Sequence, residues 1–149
     1  MQTGDSSKAT GFMILRLFFS QFWLLQFFGK IFDQETHIIA WRNLAIWAGH
    51  TTEWFVRQTI LPEGLVRPYT MALPYLELSI GLLLLAGFQT RRALIFSALL
   101  IISLDAGLLM QLKHDTVALN TIYLLALLPA IQWENYNRWA LDSLLSPKI

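Results

Sequence analysis

The chain contains no cysteine, and this absence removes several classes of functional site at once. Without thiols there is no disulfide exchange, no thiolate metal ligand and no haem attached through cysteine. Charge is also scarce, because only 14% of the residues are Asp, Glu, Lys or Arg, whereas a soluble domain carries about 25%. The net charge is +1 and the basic residues are scattered along the chain, so nothing indicates a nucleic-acid partner.

Familiar catalytic motifs are missing as well. No phosphate-binding glycine loop, nucleophile elbow or catalytic triad can be recognised in the sequence. The three histidines, His37, His50 and His114, have no spacing that would place two of them on one helical face, so we expect no metal site. No catalytic residues can be assigned, and the sequence favours a non-catalytic or accessory membrane subunit over a stand-alone enzyme.

Long apolar runs dominate the sequence, which is 55% hydrophobic. Glu77 is the only charged residue between positions 67 and 91, and Asp105 is the only one between positions 92 and 113. Such runs match the ~20 apolar residues that a helix needs to cross a bilayer. The sequence therefore predicts an all-α integral membrane four-helix bundle, a single domain over residues 1–149. We place its spans at about 11–32, 69–89, 93–112 and 116–133, with short turns at 90–92 and 113–115.

Two segments outside the spans have amphipathic patterns. Residues 33–68 contain Trp41, Trp47 and Trp54, which are typical of the aromatic belt at a membrane surface. We expect a surface helix there, with a lid over an internal site as the alternative. Residues 134–145 predict a second surface helix at the opposite face. Its lipid-facing side would consist of Trp133, Tyr136, Trp139 or Ala140, and Leu144.

The orientation in the membrane follows from arginine and lysine in the short loops. The predicted turn between the second and third spans holds Arg91 and Arg92 and no acidic residue. We therefore expect this turn and both termini to be cytoplasmic.

Polar residues within the spans are the candidates for a functional site. Glu77 and Asp105 lie at a similar predicted depth, and Lys30 and Asn120 belong to the same outer half of the bundle. Inserting a charged residue at the centre of a span costs about 2.5–3.5 kcal/mol of free energy, so we expect these acids to have polar partners or a functional role. Two alternatives remain open: the acids pair with Lys30 and Asn120 to hold the helices in register, or they form a proton-accepting or ligand-binding site.

Arg16 lies nearer the inner end of the first span. Its long side chain is expected to extend towards the cytoplasmic surface, as arginine side chains do near the ends of spans. At about 1.5 Å of rise per residue, it is too far from Glu77 for a direct ion pair.

The polar and glycine residues together form a pattern that resembles the DoxX-like membrane proteins. The most specific part is ELSIGLLLLAGFQTRRA, and the similarity covers about residues 12 to 131. The resemblance implies a four-helix bundle in the bacterial inner membrane and an association with redox systems, such as a subunit of thiosulfate:quinone oxidoreductase. Asp105 has no assigned place in the family pattern. Carried onto this chain, the pattern comprises Arg16, Gly29, Lys30, Glu77, Gly81, Gly87, Thr90, Arg91 and Asn120.

Two functional hypotheses follow. The first is a membrane subunit or accessory protein of a redox complex, with a protein partner or a second copy of itself and no intrinsic cofactor. The alternative is a quinone-binding or small-molecule-binding oxidoreductase component that uses Glu77 and Asp105 for proton transfer. Transport of a small solute is less favoured, because four spans without an internal repeat provide little material for alternating access.

Overall fold

The computed structural model describes residues 3–32, 38–137 and 140–142. These residues are almost entirely helical, and apart from an isolated bridge between Phe32 and Ile39 the described ranges contain no β-structure. The all-α prediction is confirmed. The helices are α1 (Thr3–Ile31), α2 (Arg42–Gln58), α3 (Glu63–Ala86), α4 (Thr90–Met110) and α5 (His114–Gln132), followed by a short 3-10 helix (Glu134–Tyr136).

Four of the described helices are long and apolar enough to cross a membrane: residues Ser6–Ile31 of α1, and α3, α4 and α5. This confirms the predicted four-span architecture. The start of α3 differs from the prediction, because the helix begins six residues before position 69. Glu63 and Arg67 form an ion pair of 3.4 Å one helical turn apart, so charged residues extend the helix beyond its apolar stretch. The end of a helix and the edge of a membrane therefore need not coincide.

Both predicted turns lie a few residues too late in the sequence. Helix α3 ends at Gly87, whose φ of 66° is left-handed, and α4 begins at Thr90. Glycine adopts this conformation without the steric cost that a Cβ brings, and it commonly ends helices. Arg91 and Arg92 consequently lie in the first turn of α4 rather than in the loop. The other turn occupies residues 111–113 instead of 113–115.

The core is formed mainly between α1 and α3, which make the most extensive contact in the bundle. A Cβ built on Gly81 would lie 2.8 Å from Cγ of Leu24, so the glycine allows the two helices to approach closely. At the same level Ser20 Oγ donates a hydrogen bond of 2.9 Å to the carbonyl oxygen of Gly81. Large apolar side chains fill the rest of the core, among them Phe12, Phe19, Trp23, Leu84, Leu94, Ile101 and Leu127.

The helices alternate in direction, so the bundle has two distinct ends. We call the end that carries α2 and the 111–113 turn the α2 end. The opposite end, which carries the 87–89 turn and residues 133–142, is called the turn end.

The predicted surface helix over 134–145 is interrupted in the part that the structure describes. The 3-10 turn ends at Tyr136, Asn137 follows it with a ψ of 83°, and helical geometry resumes at Leu141 and Asp142. Ala140 is buried rather than lipid-facing, because it packs against the turn at Gly87. Trp133 and Tyr136 are half-buried, whereas Trp139 and Leu144 lie outside the described residues. This segment therefore covers the turn end of the bundle.

Candidate functional site

Glu77 of α3 forms a buried ion pair with Lys30 of α1. Oε2 of Glu77 lies 2.5 Å from Nζ of Lys30, and the Glu77 side chain is only 2% exposed. Lys30 Nζ also donates a hydrogen bond of 3.0 Å to the carbonyl oxygen of Gln26 and lies 4.8 Å from the centre of the Trp47 ring. Such a pair is stable away from water only when hydrogen bonds accompany the charges, as they do here.

Asp105 of α4 pairs with Asn120 of α5. Nδ2 of Asn120 donates a hydrogen bond of 2.6 Å to Oδ1 of Asp105, whose side chain is buried. The four polar groups that the sequence analysis assigned to one layer are therefore arranged as two pairs, one between α1 and α3 and the other between α4 and α5.

A cavity of about 250 Å³ connects these two pairs. Glu77 and Asn120 both line it, and residues from each of the five helices contribute to its wall. Gln26, Thr51, Thr70 and Thr116 supply further polar groups, and the aromatic lining consists of Phe22, Trp23, Trp47, Phe55 and Tyr69. The cavity thus combines aromatic faces with hydroxyl, amide and carboxylate groups, which is the usual composition of a small-molecule site.

Helix α2 covers this cavity at the α2 end. Its Trp47, Thr51 and Phe55 are part of the lining. A hydrogen bond of 2.6 Å between the hydroxyls of Thr52 and Thr70 fastens α2 to α3. The opposite face of α2 is exposed, as expected of a helix at a membrane surface. Helix α2 therefore fits both alternatives for this segment. Its exposed face is that of a surface helix, and its other face covers the cavity as a lid would.

Phe55 is held on its other side by α4. A Cβ built on Gly107 would lie 2.7 Å from Cε1 of Phe55, so the glycine provides the space that the ring occupies. This contact brings α2 against α4 as well as α3.

Several hydroxyl contacts around the site were not predicted. Nε1 of Trp23 donates a hydrogen bond to Oγ of Ser97, and the hydroxyls of Tyr69 and Ser103 lie 2.7 Å apart. Serine and threonine within apolar spans often bond across helices, so their presence was a usable signal. Their partners depend on which helices are neighbours and how they are rotated, which the sequence alone does not specify.

Arg16 lies in a separate polar network at the turn end. It is 5% exposed, and Nη1 donates a hydrogen bond of 2.9 Å to Oδ1 of Asn137. Nδ2 of Asn137 in turn donates to Oγ1 of Thr90 at 2.9 Å. The expectation that Arg16 extends to the membrane surface is wrong, because the chain after α5 folds over it. The expected absence of a bridge from Arg16 to Glu77 agrees with this geometry, since each has a different partner.

Asp142 completes this network and was also missed. Its carboxylate accepts hydrogen bonds from the backbone N–H of Gln89 at 2.8 Å and from the N–H and hydroxyl of Thr90, both at 2.9 Å. A carboxylate at the start of a helix satisfies N–H groups that have no partner within the helix. Asp142 therefore caps α4 from a distant part of the chain.

The remaining family-pattern residues have different surroundings. Thr90 is buried in the turn-end network, whereas Arg91 is exposed. Gly87 and Gly81 occupy tight positions, but Gly29 has open space where a Cβ would lie. Seven of the nine pattern residues thus make defined contacts between helices or with the C-terminal segment: Arg16, Lys30, Glu77, Gly81, Gly87, Thr90 and Asn120.

The histidines do not come together in the described part of the chain. His50 belongs to α2 and His114 to α5, both are exposed, and His37 lies outside the described residues. Within the residues that the structure describes, no three of His, Asp and Glu are placed to hold a metal ion.

In comparisons with known proteins, no family profile, no curated protein and no solved structure matches this chain. The resemblance to DoxX-like proteins therefore stays a prediction, and the functional argument depends on the geometry of the site.

Proposed function

We propose that this chain is a DoxX-like membrane protein that binds a small ring compound of the quinone class as a component of a redox complex. One observation carries the proposal: a single cavity of about 250 Å³ is bordered by both Glu77 and Asn120 and walled by aromatic rings. The quinone-binding alternative thereby gains support relative to a purely structural accessory subunit.

The size of the cavity restricts the ligand. Sites for drug-sized molecules usually measure about 300–1,000 Å³, so a space of about 250 Å³ suits one substituted ring rather than a fused-ring cofactor. The rings of Trp23 and Trp47 belong to the lining, so a flat ligand can pack against them, and such ring pairs contribute about 0.5–1.5 kcal/mol beyond the area they bury.

The polar groups suit the oxygen atoms of a quinone. Asn120 donates one amide N–H to Asp105, and its second N–H can donate to a ring carbonyl oxygen. The hydroxyls of Thr51 and Thr116 line the same cavity and can donate as well. Reduction of a quinone to a quinol takes up two electrons and two protons. Glu77 and Lys30 form an acid–base pair at the cavity wall that can hold and deliver protons. In this proposal the electrons come from a partner protein.

The membrane location is part of the proposal. We infer a bacterial inner-membrane protein with the turn end in the cytoplasm, because Arg91 and Arg92 are both exposed there. The cavity then lies in the outer half of the bundle, beneath α2.

Binding of a quinone ring to the protein in lipid nanodiscs tests the function. The ubiquinone ring without a chain, measured by equilibrium dialysis, should bind saturably to the wild-type protein. Trp47→Leu removes one aromatic wall of the cavity and should weaken binding about three- to tenfold. Trp41→Leu is the matched control, because Trp41 belongs to the same surface segment and is 63% exposed.

No saturable binding to the wild-type protein would refute the proposal. Equal weakening by Trp47→Leu and Trp41→Leu would also contradict it, since the effect would then not depend on the cavity.

A further inference from the structure

An apolar groove of about 260 Å³ adjoins the cavity between α2, α3 and α4. Four residues line both spaces, so the two lie side by side with only these side chains between them: Phe55, Tyr69, Thr70 and Leu104. Apart from Ser103, the rest of the groove is made by apolar residues such as Val66 and Met110, together with Ala106 and Gly107. Its chemistry differs from that of the cavity, where amides and a carboxylate also contribute to the lining.

The groove opens on the outer surface of the bundle. Leu65 and Met110 belong to its lining and are 62% and 47% exposed. Met110 lies on α4, which is long and apolar enough to cross a membrane, whereas Leu65 lies between the charged residues Glu63 and Arg67 at the start of α3. On the cavity's other side, the exposed lining residues are Gln26 and Thr116, which are polar. The groove is thus apolar where it opens, and the neighbouring cavity is polar where it opens.

We propose that the groove holds an apolar chain attached to the ring in the cavity, and that the ligand is therefore an amphipathic molecule taken up sideways from the bilayer between α3 and α4. This inference rests on the proposed function, because it assumes that the cavity binds a ring. It adds the class of ligand, a ring with a hydrocarbon tail, and the route by which it enters.

The boundary between the two spaces supports this arrangement. The Tyr69 hydroxyl lies 2.7 Å from that of Ser103, which ties the ring of Tyr69 to α4 at the junction. Phe55 is likewise shared by the two spaces and packs against Gly107. A ring in the cavity with a chain between these two aromatic side chains would place the chain in contact with lipid at the groove mouth.

The groove would help ligand binding by providing space for the chain rather than by adding hydrophobic free energy. Lipid tails are as apolar as the groove, so a hydrocarbon chain gains little hydrophobic free energy by moving from the bilayer into it. The groove instead lets the ring enter the polar cavity while its chain stays in apolar surroundings. Without the groove, a chain-bearing ligand would have to force the helices apart or leave the ring outside.

Two probes that share the same ring distinguish binding in the groove from binding in the cavity. They are the ubiquinone ring without a chain and the same ring carrying a decyl chain, both measured by equilibrium dialysis at one lipid concentration. Ala106→Trp places a large side chain in the groove and should weaken binding of the decyl probe about tenfold, the cost of moderate overpacking. Binding of the ring alone should change less than about twofold, because the substitution lies outside the cavity lining.

Ile102→Trp is the matched control, since it adds the same side chain one turn earlier on α4, at a position that is exposed like Ala106 but does not line the groove. It should leave the binding of both probes unchanged. Met110→Trp serves as a second groove variant: it lies at an exposed position of the groove lining, where a larger side chain is accommodated more easily, and it should also weaken only the decyl probe.

The possible outcomes show whether the groove inference fails alone or together with the proposed function. If the wild-type protein binds both probes and the groove variants leave decyl binding unchanged, or weaken both probes equally, the groove does not hold the chain and the proposed function stands. If the wild-type protein binds neither probe, the proposed function and the inference both fail.

Discussion

The two ends of the bundle each bury a basic side chain, but they surround it differently. At the α2 end, Lys30 is paired with Glu77 and the pair borders a cavity of about 250 Å³. At the turn end, Arg16 is bonded to Asn137 in a network that continues through Thr90. One basic group adjoins open space, and the other is enclosed by the chain that follows α5.

The packing around Gly87 shows how tightly the turn end is enclosed. A Cβ on Gly87 at the turn end would lie 2.6 Å from Cβ of Ala140 and would also collide with Nη1 of Arg16. The network there holds the C-terminal segment against the 87–89 turn. A buried charge is therefore not by itself a sign of a functional site, whereas a buried charge beside a space of ligand size is a better one.

The largest expected effect concerns which end faces the cytoplasm. Because the chain has no cysteine, single-cysteine variants report on one position each. Ile60→Cys, at a position 95% exposed near the α2 end, should react with a membrane-impermeant maleimide in intact spheroplasts. Gln89→Cys at the turn end should react only after lysis. The reverse pattern would place the cavity in the inner half and overturn the proposed orientation.

The next largest effect tests the ion pair at the α2 end. Glu77→Leu leaves Lys30 without its acid in a buried site and should lower the free energy of unfolding by about 3–5 kcal/mol. The double variant Lys30→Met/Glu77→Leu should recover most of this loss, because both charges are gone. Thermal unfolding in one detergent measures the change.

Glu77→Gln refines this test. An amide oxygen can still accept a hydrogen bond from Lys30, so we expect a smaller loss of stability than with Leu. Equal and large losses for Gln and Leu would assign Glu77 to packing alone and remove it from the proposed proton site. A double variant as unstable as Glu77→Leu would contradict the ion pair itself.

At the turn end, Gly87→Ala should destabilise the protein by about 2 kcal/mol, because alanine must adopt a left-handed conformation at a φ of 66° where its Cβ also meets Ala140. Gly29→Ala is the control: the position is helical and open, and alanine there should stabilise the helix by up to about 1 kcal/mol. Chemical denaturation of both variants gives the comparison. A neutral Gly87→Ala would show that the turn end is less tightly packed than described.

The smallest effect concerns the cap on α4. Asp142→Ala removes the acceptor for the N–H groups of Gln89 and Thr90 and should cost about 1 kcal/mol. Asp115→Ala, at an exposed position in the first turn of α5, should change stability by less than about 0.5 kcal/mol. Denaturation midpoints that shift equally for both variants would mean that Asp142 contributes no more than an ordinary surface acid.

Much of the fold could be predicted because a bilayer allows few kinds of backbone structure to cross it. Apolar runs of this length must be helices, since no water is present to satisfy exposed backbone groups. The helix boundaries were less accurate. Charged residues such as Glu63 were taken as the end of a span, yet helices continue past the apolar stretch. The left-handed conformation at Gly87 also determined the position of the turn more strongly than the charges of Arg91 and Arg92.

The candidate site was only partly predictable. Glu77, Asp105, Lys30 and Asn120 could be identified because polar residues are rare in the spans. Asp142 gave no such signal, since an acid in a polar terminal segment is ordinary.

The sequence by itself determined the class of protein, the four spans and the identity of the polar residues inside them, because the cost of placing charge in apolar surroundings makes each such residue conspicuous. Only the tertiary structure decided which groups pair, that Arg16 is enclosed, and that a cavity remains beneath α2. Those features depend on the rotation and spacing of packed helices, which small residues such as Gly81 and Gly107 control through contacts far apart in the chain.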